Sequence, residues 1–363
     1  MKMSYRLCDK VVELEPYEPI SGTYKIRLDA NESGFNLPEE IKAGIKTIVD
    51  NMSFNRYPDP TAKKLTAAFA DYYGLDPENI TVTNGSDEML YLLASAMLSR
   101  GSRVVVTDPD FSMYSFYSFL SENEILSYKK NKDLEIEIDE LIRYVNDNKV
   151  DMVIFSNPCN PTGRGITAEQ ARKLVKECSE TLVVLDEAYM DFWNESILKE
   201  ADKYNNLIVL KTASKAVGAA GIRLGFAVSN PTITKALRAV KSPYNVNSLS
   251  QEIGTCIYSD KKLLESRRDK IVKQTKVLYS GLRKIADNYK LPIKIYEPCA
   301  NFIFVETDNA GKIYEFMLEN SVAVRYFRNA GAIRISCGTK EENIEFLVLF
   351  EKYIQKNILK TNR

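Results

Sequence analysis

The sequence predicts an α/β fold, with a large domain built on a mainly parallel sheet covered by helices and a smaller α+β domain beside it. Three observations predict it. Brief, β-branched, mostly apolar runs recur through the middle of the chain, each short enough to be a strand buried on both faces. Helical stretches separate several of them, the alternation that builds parallel sheets. The length, 363 residues, exceeds what one hydrophobic core organises, so two domains are expected.

Taken in order, Thr61–Tyr73 puts Leu65, Ala68, Phe69 and Tyr72 on one helical face. Ile80–Thr83 reads as a strand that runs into Asn84-Gly85-Ser86-Asp87-Glu88 and then an apolar helix. Arg103–Thr107, Asp151–Phe155, Leu182–Leu185, Leu207–Leu210 and Leu224–Val228 read as further strands, with a helix over Ala168–Cys178. After Pro243 the texture changes to a long charged helix over Lys261–Tyr289. Strands follow near Phe302–Val305, Val322–Val324 and Ile333–Ser336, with helices over Lys312–Glu319 and Glu341–Ile354. The expected division is a large cofactor-binding domain over 55–245, and a small domain made of 246–363 with the N-terminal segment 1–54.

Lys plus Arg equals Asp plus Glu, at 49 each, which argues against a general nucleic-acid binder. No apolar run approaches the roughly 18 residues of a membrane helix. The first fifteen residues lack the apolar core of a signal peptide. The six cysteines show no Cys-x-x-Cys spacing, so reduced thiols and a cytoplasmic location are expected. There is no histidine, which removes Ser-His-Asp triads, Cys-His pairs and His-based metal sites, and no metal is expected. Acid–base chemistry near neutral pH must then come from a perturbed Lys, Asp, Glu, Tyr or Cys, or from a cofactor.

Four segments carry candidate chemistry. In Lys211-Thr212-Ala213-Ser214-Lys215 a strand ends in a lysine flanked by hydroxyls, a setting that suits imine formation with an aldehyde. Arg223, eight residues on, can fork onto a phosphate together with Thr212 and Ser214. The run Leu182–Leu185 delivers Asp186 and Glu187 at a strand's C-terminal end, where open α/β sheets place ligands. Alternation points them to opposite faces, so one can enter the site and pair with a cation there. Ser156-Asn157-Pro158-Cys159-Asn160-Pro161-Thr162-Gly163 is a rigid turn in which Asn160 can present its amide to a ring hydroxyl. Gly85-Ser86-Asp87 opens a helix, a ready phosphate site, although Ser86 and Glu88 also read as plain helix capping. Each segment alone has an ordinary structural explanation; their order along one chain is the stronger signal.

In that order they resemble the class I/II aminotransferases and, within them, the histidinol-phosphate aminotransferases. The specific elements are Asn160-Pro-Thr-Gly163, Asp186-Glu-Ala-Tyr189, Ser214-Lys215 with Arg223, and Arg334-Ile-Ser-Cys-Gly-Thr339. Leu28-Asp-Ala-Asn-Glu32, Asn55-Arg-Tyr-Pro58 and Val322-Ala-Val-Arg325 add to them. The resemblance implies the aspartate-aminotransferase fold and the cofactor pyridoxal 5'-phosphate (PLP). It implies that Lys215 binds the cofactor covalently and shuttles the proton, that Asp186 pairs with the pyridinium nitrogen, and that Asn160 and Tyr189 contact the ring hydroxyl oxygen. Phe111 is expected to stack on the ring, where the family usually has tyrosine. Ser86, the Asp87 backbone, Thr212, Ser214 and Arg223 are expected to hold the phosphate, with Tyr57 reaching the phosphate of the neighbouring subunit in a homodimer with shared sites.

Substrate choice is assigned by the same resemblance to Tyr17, Tyr57, Asn301, Arg325 and Arg334. They would accept a phosphate ester from an amino donor, histidinol phosphate, and a carboxylate from the acceptor, 2-oxoglutarate, in histidine biosynthesis. Threonine-phosphate decarboxylase and an aromatic amino-acid aminotransferase are the alternatives on this fold. A non-catalytic regulator on it would carry an added DNA-binding segment and a basic excess, neither of which the sequence shows.

Overall fold

Apolar strands cannot satisfy their backbone groups alone, and those in the middle of the chain do so by pairing into one sheet. The computed structural model describes residues 5–12, 14–16, 18 and 20–357. Its strands are β1 (Ile26–Leu28), β2 (Ile80–Asn84), β3 (Arg103–Asp108), β4 (Glu124–Lys129), β5 (Met152–Ser156), β6 (Leu182–Asp186), β7 (Leu207–Thr212), β8 (Leu224–Ser229), β9 (Lys294–Ile295), β10 (Phe302–Glu306), β11 (Val322–Phe327) and β12 (Ala332–Ser336).

The large sheet has the order β2-β8-β7-β6-β5-β3-β4. Strand β8 runs antiparallel to both neighbours, and the other pairs are parallel. All residues of β5, β7 and β8 are buried, as their continuous apolar sequences require. Strand β4 has no counterpart in the sequence reading. It lies at the sheet edge with Tyr128 as its one buried residue, so its hydrophobic pattern is faint.

The register sets the site. Ser156 lies opposite Asp186, and Thr212 opposite Gly225. Because β8 is reversed, its first residues lie at the same rim as the last residues of β2, β5, β6 and β7. Asn84, Ser156, Asp186, Thr212 and Arg223 are thereby delivered to one edge of the sheet.

The second sheet, β1-β11-β12-β10-β9, pairs β1 parallel to β11 and is otherwise antiparallel. Its core includes Leu28, Ile303, Ile333, Phe346 and Phe350. The short strands β1 and β9 also escape a reading based on periodicity, because two or three residues show none.

The expected boundaries shift. Helices Glu39–Asp50 and Ser248–Tyr258 were assigned to the small domain, yet they pack on the large core, to which they give Ile41, Ile253, Ile257 and Tyr258. Phe69 stacks on Phe226 at 3.9 Å and meets Tyr258 edge-on at 5.2 Å, which anchors the second of these helices. Within the long helix Lys261–Asn288, Leu264 belongs to the large core, and Leu278 and Leu282 to the small one. The chain therefore passes from the large core to the small one inside this helix. On the N-terminal side it passes from one core to the other between Leu28 and Ile41. No helix among the described residues is long and apolar enough to cross a membrane.

Candidate active site

Asp186 ends β6 and is 4% exposed. The Tyr114 hydroxyl donates to its Oδ2 at 2.8 Å, and the Ala188 amide to Oδ1 at 3.1 Å. Burial pushes its carboxyl up to about 6 against the pull of these two hydrogen bonds. Neither donor is a cation, so this buried carboxylate is built to receive one. Glu187 points the other way, as alternation requires, and takes a hydrogen bond from Ser196 Oγ at 2.6 Å. It is fully buried and raised to about 7 by desolvation, with Lys211 opposing the rise.

Beside Asp186 the turn after β5 contains cis peptide bonds at Asn157-Pro158 and Asn160-Pro161. The Asn160 amide nitrogen donates to Ser156 Oγ at 2.9 Å. Its side-chain oxygen accepts from Arg334 Nη1, which joins this turn to β12 of the small domain.

Lys215 follows β7 and is half-buried, with Nζ 5.7 Å from the centre of the Tyr189 ring. It donates to the Ala30 carbonyl at 3.1 Å. Tyr189 is 4% exposed and set edge-on to Phe302 at 5.2 Å. A half-buried amine, a buried phenol and a buried carboxylate thus follow or end neighbouring strands at one edge of the large sheet.

At the same sheet edge a pair of hydroxyls, a helix N-terminus and a guanidinium come together, groups that can hold an anion. Thr212 Oγ1 and Ser214 Oγ are 3.1 Å apart and both residues are buried. The helix Gly85–Ala96 starts here, and its first-turn amides, those of Ser86 and Asp87 among them, point out of its N-terminus. Arg223 takes a left-handed φ of 50° and pairs with Asp87 at 2.9 Å. Gly85, with φ 75°, is needed for that approach: a Cβ there would stand 2.5 Å from Arg223 Nη2.

In the second sheet Arg325 and Arg334 are direct cross-strand partners, so both side chains leave the same face of that sheet. Arg334 is 6% exposed, donates to the Asp29 carbonyl at 2.5 Å, and lies over the rings of Phe302 and Phe327. Asn301 is fully buried; its amide nitrogen reaches the Asn31 carbonyl at 3.2 Å, and its Oδ1 has no hydrogen-bond partner among the described residues.

Phe111 is half-buried and meets the Tyr114 ring edge-on at 5.5 Å, which ties it to the partner of Asp186. Tyr57 stands apart from this cluster, 80% exposed and stacked on Tyr244 at 4.5 Å. Tyr17 lies outside the described residues. Sequence reasoning missed Tyr114, whose spacing of three residues from Phe111 was a usable signal. It also missed Asp110, which accepts from Thr107 Oγ1 at 2.6 Å, the Phe111 amide at 2.8 Å and Ser156 Oγ.

The model of the family described as aminotransferase class I and II matches residues 23–349. The chain belongs to the class I and II aminotransferases. It is 40% identical over 340 residues to histidinol-phosphate aminotransferase of Clostridium novyi (strain NT), covering 93% of this chain and 94% of that protein. The enzyme of the same name from Thermoanaerobacter sp. (strain X514) is 38% identical over 92% of this chain and 95% of its own length. Among solved structures, histidinol-phosphate aminotransferase from Sinorhizobium meliloti, in complex with pyridoxal-5'-phosphate, has a TM-score of 0.86. It is 22% identical and covers 98% of this chain and 99% of that one. That likeness bears on the fold, which is the aspartate-aminotransferase fold with its mostly parallel seven-stranded sheet. That family is one of aminotransferases, and its match spans the lysine, the buried carboxylate and the hydroxyls described above.

Proposed function

We propose that this aminotransferase uses pyridoxal 5'-phosphate to exchange the amino group of L-histidinol phosphate with 2-oxoglutarate, reversibly, giving imidazole acetol phosphate and glutamate. The reading is supported by two groups of side chains, one at the edge of the large sheet and one on the second sheet. The first holds a buried carboxylate awaiting a cation beside groups that can hold an anion, and the other presents two arginines from one sheet face. The relatives at 38–40% identity support the choice of amino donor.

The residues present fit the cofactor. Thr212, Ser214, Arg223 and the first-turn amides at Ser86 and Asp87 would hold its phosphate, with Arg223 turning from Asp87 to the dianion. Asp186 would meet the ring nitrogen, and that charge would keep the carboxylate ionised despite burial. Asn160 and Tyr189 would contact the ring oxygen, and Phe111 would cover one face. When bound, the cofactor supplies an electron sink conjugated to the substrate nitrogen. Lys215 Nζ is the base that takes the proton from the α-carbon of the amino donor. Arg334, held by Asn160 and the Asp29 carbonyl, orients the acceptor's carboxylate, and with Arg325 offers the charge a phosphate ester needs. Asn301 and Tyr17 are proposed to complete this group.

Tyr57 is proposed to serve the partner protomer's site in a homodimer, a role for which an exposed phenol is available. A cytoplasmic biosynthetic role accompanies this reading. The test is to mix purified, PLP-loaded protein with histidinol phosphate and follow the cofactor absorbance, then add 2-oxoglutarate. The expected result is loss of the original band and its return on adding the oxo acid. A band that never responds to histidinol phosphate overturns the proposed donor. Carbon dioxide release without an acceptor would make the chain a decarboxylase.

A further inference from the structure

Three consecutive residues after β1 each hold a group of the site. The Asp29 carbonyl takes Arg334, the Ala30 carbonyl takes Lys215, and Asn31 Nδ2 donates to the Tyr189 hydroxyl at 3.0 Å. The first two contacts are made by backbone and accept any side chain; the third depends on what residue 31 is. Asn31 is 1% exposed with a left-handed φ of 54°, a conformation that asparagine tolerates better than most side chains.

Its amide is fixed by the small domain. The Asn31 backbone amide donates to Ser336 Oγ at 2.8 Å, and Ser336 Oγ donates to Asn31 Oδ1 at 2.9 Å. Asn301 holds the Asn31 carbonyl at 3.2 Å. With Oδ1 committed to Ser336 on β12, the side-chain amine is the group left to face Tyr189. A phenol has one proton to give and accepts at its oxygen. Because Asn31 donates to that oxygen, the Tyr189 proton has to go elsewhere, and a donor behind a hydroxyl makes it a stronger donor in turn.

We infer that Asn31 is a positioning residue, which holds the Tyr189 phenol oxygen from behind and reserves its proton for the ring oxygen of the cofactor. The inference rests on the PLP reading above. A strong donor on that oxygen would withdraw charge from it and make the nitrogen joining Lys215 to the cofactor more acidic, so the pH midpoint of the absorbance change would be set low. The device also joins the small sheet to the cofactor's electronics, since the amide is aimed from β12.

The experiment is a pH titration of the absorbance of PLP-loaded protein in the absence of substrate. Loss of one hydrogen bond in Asn31→Ala is expected to raise the midpoint by about half a pH unit. Asn31→Asp, which accepts and draws the Tyr189 proton away, is expected to raise it further. In a Tyr189→Phe background, Asn31→Ala is expected to change nothing more. An unmoved midpoint in Asn31→Ala, or an equal change with and without the phenol, would falsify the inference. If Asn31 variants fail to hold cofactor, Ser336→Ala, which leaves the amide but frees it, is read in the same way. Wild-type protein with no pH-dependent band, and no borohydride-fixed label on Lys215, would instead sink the cofactor reading itself.

Discussion

Replacing Asp186 by asparagine is expected to make the cofactor-free protein more stable, and the size of the gain follows from where the carboxylate sits. Burial raises its pKa from 3.8 to about 6. That rise corresponds to about 3 kcal/mol of native-state cost once the group is ionised. The sign is that of a carboxyl which binds its proton more tightly folded than unfolded. Below pH 3.8 both states are protonated and nothing is lost; stability then falls as pH rises through 3.8 to about 6, and the full cost persists above. Asparagine removes the charge and can keep a carbonyl oxygen for the Ala188 amide, while the Tyr114 hydroxyl can turn to a new partner. Urea denaturation of wild type and Asp186→Asn, both free of PLP, at pH 8 and pH 4 is the assay. The variant is expected to be more stable by about 2–3 kcal/mol at pH 8, and by under about 1 kcal/mol at pH 4. Its affinity for PLP should fall, because in the proposed function the charge that burdens the cofactor-free protein is the one that would meet the ring nitrogen. An equal gain at both pH values would refute the reasoning, since the cost would then not be one of charge.

Lys215→Ala should leave no borohydride-fixed cofactor on the chain and lower turnover by about 10²–10⁴-fold or more, measured by glutamate formation. Arg334→Lys loses the fork that reaches Asn160 and the Asp29 carbonyl at once, and kcat/KM should fall about 10- to 100-fold, mainly through KM. Unchanged steady-state kinetics would remove Arg334 from substrate binding. Lys130 lies with Asp110 and Cys159 in a pocket where the lysine and aspartate side chains are 1% and 0% exposed. Lys130→Met leaves Asp110 without its cation and should cost about 3 kcal/mol in urea melts at pH 8; a loss under about 1 kcal/mol would show the carboxylate satisfied by its other donors.

The parts legible in the sequence are those whose cause is local. Strands β5, β6 and β7 announce themselves because burial on both faces demands unbroken apolar runs. Asp186 and Lys215 follow from such runs, since the residue after a buried strand emerges at the sheet's rim. The edge strand β4 and the three residues of β1 carry no such demand, and their pairing is decided by neighbours distant in the chain. The point at which the chain changes cores is hidden for a related reason. A helix of 28 residues can change cores midway without any change in its own periodicity, and Leu264 and Leu278 look alike until the partners of each are known.

Asn31 shows where sequence reasoning stops. Its place in Leu28-Asp-Ala-Asn-Glu32 was visible as part of a resemblance, but nothing local says which way its amide points. That direction is set by Ser336, 305 positions away, and its consequence is felt by Tyr189, 158 positions away. The chemistry of such a site is specified by paired choices at remote positions: a hydroxyl on β12 that holds an oxygen, an amide that therefore presents its nitrogen, and a phenol that therefore keeps its proton for the ligand. A single substitution at Ser336 would leave every other residue of the site in the sequence and still alter the acidity of what binds there. Asn31→Ala and Ser336→Ala are accordingly expected to move the cofactor's pH midpoint in the same direction.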